Sequence, residues 1–253
     1  MPLWAIPIGI TLLAASLAAA WFAFPRLDRA ARVARLRAQC ARRRAVCLTY
    51  DDGPGDSLTR DVMDLLEAAG GRATFFMLGA RAESNPDLPA EAHRRGHEVG
   101  SHTFEHLNAW KAPPARANRD IDAGIDAIES RAGAPGPFRP PYGRATLGTW
   151  LHARRRPTAW WTLDSGDTHK RLPDPASVVR ALERAGGGVV LLHDFDQHRS
   201  PERTAYVLEV TRRVLRWARS ADARVCTLAD LRSASPGRTP STGATSTASS
   251  RAS

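Results

Sequence analysis

Short apolar runs alternate with helical patterns from residue 45 to residue 232. AVCLTY (45–50) reads as a strand, Leu58 to Ala69 as an amphipathic helix ended by Gly70-Gly71, and ATFFML (73–78) as a second strand. Asp87 to Arg95 predicts a helix stopped by Gly96, with a strand following in HEVGSH (97–102). Arg116 to Ala132 puts Ile121, Ile125 and Ile128 at the core spacing of a helix. Pro135 to Gly143 is a proline-rich loop, Thr146 to Arg155 a helix, Ala159 to Leu163 a strand and Ser177 to Ala185 a helix. Gly188 to Leu192 is an unusually apolar strand, Glu202 to Arg219 a long helix and Arg224 to Leu228 a last strand. Such alternation implies an α/β fold, with parallel strands and helices packed outside them. A barrel and a doubly wound sheet both fit, and in either one polar groups gather at the C-terminal strand ends.

The chain's two ends break this pattern. Trp4 to Phe24 is a run of 21 residues without a charge, roughly 31 Å long as a helix and close to a bilayer's hydrocarbon thickness. Trp4, Trp21 and Phe22 sit near its ends, where aromatics favour a membrane interface. Ala18-Ala19-Ala20 also fits a cleaved signal peptide, but no Lys or Arg precedes the run and Trp21-Phe22-Ala23-Phe24 extends it. An uncleaved transmembrane anchor is therefore expected over residues 1–25. The Arg-rich segment 26–44 follows, and its balance of +7 puts the following domain on the cytoplasmic face of a bacterial inner membrane. Its arginines would also hold anionic headgroups. After Arg232 the composition collapses into Ser, Thr, Ala, Gly, Pro and Arg, so residues 233–253 read as a disordered tail.

Charge changes the picture once it is divided along the chain. The net +10 comprises +7 in residues 26–44 and +2 in the tail, which leaves +1 for residues 45–232. A nucleic-acid-binding domain is disfavoured, because the basicity belongs to a short belt and not to a face of the domain. Arg outnumbers Lys 34 to 2, in keeping with a GC-rich bacterial genome. Cys40, Cys47 and Cys226 are too widely spaced for a disulfide framework or a zinc ribbon, and the latter two lie in apolar runs.

Four predicted strands end in candidate chemistry. The first runs into Asp51-Asp52-Gly53-Pro54, where Gly53 could supply the backbone freedom that lets both carboxylates face one cleft. The third runs into His102, and His106 four residues on would share one face of a helical turn, as a divalent metal requires. Asp52 would complete a two-histidine, one-carboxylate site with open positions. Alone, these features equally fit a capped turn and a structural histidine pair. The strand at 159 runs toward Asp164 and Asp167, and the apolar strand toward His193, whose ring could serve as a general acid or base. Arg139, in the stiff loop FRPPYG (138–143), could orient a catalytic carboxylate or form an ordinary ion pair. His93 and His97 share the i, i+4 spacing, but Gly96 interrupts them and they read as a surface and a structural histidine.

In order, these motifs resemble the polysaccharide deacetylases of carbohydrate esterase family four, the NodB-homology domain, over residues 45–232. TYDDGP (49–54), SHTFEH (101–106), RPPY (139–142) and LLHD (191–194) carry the likeness, and DSGDT (164–168) meets the remaining motif in part, with Thr168 where the family has an aromatic. The resemblance implies a distorted (β/α) barrel of about seven strands, NodB-like, preceded here by the transmembrane helix. It implies Asp51 as general base, Asp52, His102 and His106 as metal ligands, and Arg139 holding Asp51. His193 would be the general acid supported by Asp167, with Asp164 as a substitute partner. Tyr142 would bind the oxyanion through its backbone N–H, Pro141 and Leu191 would line the substrate site, and Trp161 would compensate for the missing aromatic. The implied cofactor is a divalent ion, zinc first, with cobalt, nickel or manganese as alternatives. The implied substrate is an N-acetylated glycan (peptidoglycan, chitin-like or capsule), or a lipid-linked amino sugar if the domain faces the cytoplasm. A decayed glycan-binding module and a membrane-surface interaction protein are the competing classes, and the intact motif residues favour the enzyme.

Overall fold

A computed structural model describes residues 5–55, 57–195 and 200–233, with side chains from Ser16 onward except Leu17. The expected tail therefore lies outside the described residues, apart from Ser233. The chain starts with α1 (Ala5–Arg43) and then alternates β1 (Ala45–Asp51), α2 (Leu58–Ala68), β2 (Thr74–Met77), α3 (Gly79–Ser84), α4 (Asp87–Arg94) and β3 (Glu98–Ser101). It continues through α5 (Pro114–Ala132), α6 (Leu147–Ala153), β4 (Leu163–Asp164), α7 (Ala176–Ala185), β5 (Gly188–His193), α8 (Pro201–Ser220), β6 (Arg224–Val225) and α9 (Leu228–Ser233).

All pairings in the six-stranded sheet are parallel, in the order β3-β2-β1-β5-β4. One edge of β1 takes β5 from Val46 to Asp51; the other takes β6 at Ala45–Val46 and β2 at Thr49–Asp51. Phe138 makes single parallel bridges to Ser101 and to Thr158. Beyond Thr158 the same segment bonds β5, through Thr162 N–H to Val189 O and Ser165 N–H to Leu191 O. The sheet thus curls back on itself through the two bridges of Phe138, which lies in the expected proline-rich loop, and the described residues give six strands where about seven were expected.

β1 is buried along its whole length, and its period of two divides the core. Val46, Leu48 and Tyr50 face α2 and α8, packing with Val62, Leu66, Val210 and Val214. Ala45 and Cys47 face the interior of the curl with Phe76, Val189 and Cys226. Thr49 and Asp51 continue this inner row toward the C-terminal end, where apolar packing gives way to polar chemistry. The flanking helices begin and end at ordinary signals. α5 starts on Pro114 and stops at left-handed Gly133, and Ser200 caps α8 by accepting from the Arg203 N–H.

The N-terminal expectations are corrected. Among the described residues no helix is long and apolar enough to cross a membrane, so the single-pass anchor and the inner-membrane localisation are not supported. The membrane partner falls with them, and so does the ground for a lipid-linked substrate. Phe22 packs edge-on to Trp110 and Phe24 to Trp150, so these aromatics serve the domain and not an interface. Segment 26–44 is no separate belt either. Leu36 and fully buried Cys40 pack under β1 and β5, Trp150 Nε1 donates to Asp28, and Arg43 reaches the Leu231 carbonyl. Pro25, Arg29, Arg32, Leu36, Cys40 and Arg43 recur at helical spacing along this face.

Candidate active site

Asp51 and His193 are register partners at the C-terminal ends of β1 and β5, so the two groups named from separate motifs stand side by side. A cleft of about 630 Å³ opens above them. It is lined by Asp51, Asp52, His102, His106, Tyr142, Trp161, Asp164, Asp167, Leu191 and His193. Pro141 is buried behind Tyr142 in a single 3₁₀ turn.

Asp51 accepts from Arg139 Nη1 at 2.6 Å, and the same nitrogen donates to Thr49 Oγ1 at 2.9 Å. Both members of the ion pair are buried, Arg139 completely. Arg139 Nε and Nη2 have no hydrogen-bond partner; the guanidinium lies 4.0 Å from the Phe76 ring centroid and 5.5 Å from that of Trp161, which gives the buried charge aromatic faces in place of water. Burial raises the Asp51 pKa above the ordinary value, and the Arg139 charge only partly offsets it.

Asp52 points into the cleft because its own backbone is left-handed, at φ 68°. The expectation placed that freedom on Gly53, which serves another purpose: a Cβ there would lie 2.4 Å from the Asp194 carboxylate. Asp194 is buried and accepts from Thr59 Oγ1 at 2.6 Å. Burial pushes its pKa up to about 7. The 102–106 spacing also works differently from expectation. Residues 102–106 form a loop and not a helical turn, with left-handed Thr103 and His106. Side chains and close backbone packing help hold that loop. Asp120 on α5 accepts from the Glu105 and Leu107 N–H groups, Thr103 Oγ1 accepts from the His106 N–H, and Gly124 packs so closely that a Cβ would lie 2.2 Å from the Thr103 backbone.

Asp52, His102 and His106 each offer a ligand atom within 4.8 Å of the others. Asp52 Oδ1 is buried without a hydrogen-bond partner, 3.2 Å from His106 Nε2 and 3.6 Å from His102 Nε2. His102 Nδ1 lies 2.7 Å from the Arg139 carbonyl, a contact that fixes the tautomer with the proton on Nδ1 and leaves Nε2 to the cluster. Burial drives the His102 pKa down to about 3 and lowers that of His106. Two neutral imidazoles and an orphaned carboxylate oxygen fit a divalent cation.

Across the cleft Asp167 clamps His193 twice, accepting from its N–H at 2.7 Å and contacting Nδ1 at 2.9 Å. Burial alone would lower the His193 pKa, but the Asp167 charge and hydrogen bond outweigh it and push the value up to about 10. Asp164 stands apart, exposed and accepting from the Gly166 N–H. Of the decoy pair, His93 is exposed, while His97 is buried with its Nδ1 accepting from the Ala73 N–H. Sequence reasoning missed Thr49, Thr59 and Asp120, polar residues on apolar element faces whose only signal was that placement. It also missed Arg81, which donates to the Asp52 carbonyl and lies over Phe195.

Comparison with known proteins fits this geometry. Residues 38–159 match the family model described as polysaccharide deacetylase. A peptidoglycan-N-acetylglucosamine deacetylase of Bacillus cereus is 35% identical over 161 residues, 61% of this chain and 75% of the relative. A chitooligosaccharide deacetylase of a Bradyrhizobium species is 33% identical over 157 residues, 60% of this chain and 71% of the relative. The solved family 4 carbohydrate esterase from Streptomyces lividans, in complex with acetate, superposes with a TM-score of 0.61 at 28% identity, covering 70% of this chain and 88% of that one. On fold, motif placement and relatedness together, the chain belongs to the polysaccharide deacetylases, hydrolases that cut a carbon–nitrogen bond to release an acyl group.

Proposed function

We propose that the protein hydrolyses the N-acetyl group of amino sugars in a glycan, with N-acetylglucosamine units of peptidoglycan or chitin-like oligomers as substrate. The carrying observation is the register pairing of Asp51 with His193 beside the three-ligand cluster. Asp52, His102 and His106 would hold a divalent ion, zinc by preference for two imidazoles and one carboxylate. Such an ion polarises the amide carbonyl and lowers the pKa of a bound water.

The chain's own residues supply the proton transfers. Asp51, made more basic by burial and oriented by Arg139, accepts the proton of the attacking water. His193, kept protonated at neutral pH by Asp167, delivers a proton to the departing amine. The Tyr142 backbone N–H is the candidate donor to the developing oxyanion. Trp161 and Leu191 give the cleft its apolar wall, and the exposed Tyr142 ring offers a stacking face for a sugar. The relatives named above act on glycans of this chemistry by name, which supports the substrate class.

Acetate release by the full-length protein from N-acetylglucosamine oligomers and peptidoglycan fragments tests the reading. Release should vanish on chelation, return with zinc or cobalt, and be absent in Asp51→Asn. A folded, metal-loaded protein that releases no acetate would replace it with glycan binding without turnover.

A further inference from the structure

Arg29 belongs to α1, outside every motif named above and 114 residues before Gly143, yet its Nη1 donates to the Gly143 carbonyl at 2.9 Å. The same guanidinium lies 4.5 Å from the Trp161 ring centroid and 5.1 Å from that of Trp160. Trp161 therefore touches two guanidiniums, Arg29 and the Arg139 that holds Asp51. The placement is electrostatically unfavourable, because partial burial and the nearby Arg139 charge both lower the Arg29 pKa. A surface arginine with no task would turn to solvent.

The turn that Arg29 grips is the one carrying Tyr142. Tyr142 sits at φ 57°, a left-handed conformation uncommon outside glycine, and its ring lies 4.6 Å from His106. Local bonds from Gly143 N–H to Pro140 O and from Arg144 N–H to Pro141 O close the turn, but they do not anchor it to the body of the protein. Contact from α1 does. A Cβ on Gly143 would lie 2.6 Å from Arg29 Nη1 and 2.7 Å from Trp161 Cη2, so guanidinium and indole press directly on the backbone.

We propose that Arg29 is a positioning residue of the active site: by holding the Gly143 carbonyl and the Trp161 ring it fixes the Tyr142 turn against the cleft, which makes α1 a support behind the residues that line the site. The inference rests on the deacetylase reading above and adds to it an element outside the family motifs. In zinc-loaded full-length protein, Arg29→Ala should lower kcat on N-acetylglucosamine oligomers by about 10- to 100-fold, as for a misplaced reacting geometry, with KM within about twofold. Arg29→Lys, which keeps a donor but loses the planar group, should fold like wild type and recover part of kcat. Arg35→Ala, an exposed arginine on the same helix, should change nothing. Hydrogen exchange of amides in residues 141–146 should quicken in Arg29→Ala and not in Arg35→Ala. Unchanged kcat in both Arg29 variants, or unchanged exchange in the turn, overturns the proposal. An inactive wild type would strike the deacetylase reading instead, and the exchange contrast would still decide whether Arg29 holds the turn.

Discussion

Two carboxylate–cation pairs stand at the ends of adjacent strands, and burial acts on them in opposite directions. In the Asp51–Arg139 pair the cation is an arginine, which stays charged, so the carboxylate is the member free to titrate. Burial raises it and makes it a better base. In the Asp167–His193 pair the imidazole titrates, and the buried carboxylate raises it to about 10 despite desolvation. In the proposed mechanism one kind of contact thus yields a base on β1 and an acid on β5, the difference being which partner has a proton to exchange within the working pH range.

Breaking the base side should have the largest effect. Asp51→Asn keeps an acceptor for Arg139 but cannot take a proton, and kcat measured by acetate release should fall by about 10³-fold. Arg139→Met leaves Asp51 buried and unpaired, and denaturant unfolding should show a loss of about 3–5 kcal/mol. Combining it with Asp51→Asn should restore part of that loss, a coupling the double-mutant cycle reads directly.

The acid side should respond through pH. Asp167→Asn removes the two largest influences that raise His193 and leaves the smaller ones of Asp52 and Asp51 against burial, so the alkaline limb of kcat/KM should move acidward from about pH 10. The sign for stability follows. A raised histidine favours folding fully below its ordinary value of 6.5, and that contribution disappears as pH rises through about 10. The wild-type melting temperature should carry this alkaline decline, and in Asp167→Asn the decline should flatten. Asp164→Asn sharpens the contrast from the other end: its side chain is exposed and, among the described residues, bonds the Gly166 N–H alone, so kcat should change by about twofold or less.

Regular elements were legible because hydrophobic period and Gly or Pro punctuation are local. Within residues 45–232 the strands and helices fall within a few residues of their expected bounds, except that the expected 159–163 strand is reduced to Leu163–Asp164 and that α3 and α9, six residues each, went unread. Before that span, α1 runs on to Arg43, well past the expected end at 25. The candidate site residues could be read as residue types at strand ends. Their mechanical supports could not. Asp52, Thr103, His106 and Tyr142 all take left-handed backbones, and no residue in that set is a glycine that would announce it. Asp120 and Gly124 sit on an otherwise ordinary amphipathic helix, where only the facing loop reveals their task. The N-terminal segment misled for a physical reason: uncharged length and flanking arginines score alike for a lipid-facing helix and for one laid against a protein wall. The spacing of Val33, Leu36 and Cys40 that separates the two was hidden among arginines.

The carbonyl of Leu231 accepts from both Gln39 and Arg43, each at 2.6 Å, and Leu231 packs in one cluster with Cys40, Cys47 and Val189. The end of α1 is thus tied to α9, across nearly 190 residues of chain. On a ribosome α1 emerges long before α9, and this bond cannot form until residue 231 has been made and released. Until then the layer around Cys40 stays open at its C-terminal side, and the nascent domain must carry an uncovered apolar floor. Folding here is a matter of timing as well as of contacts: α1 is made well before the segment that secures its C-terminal end.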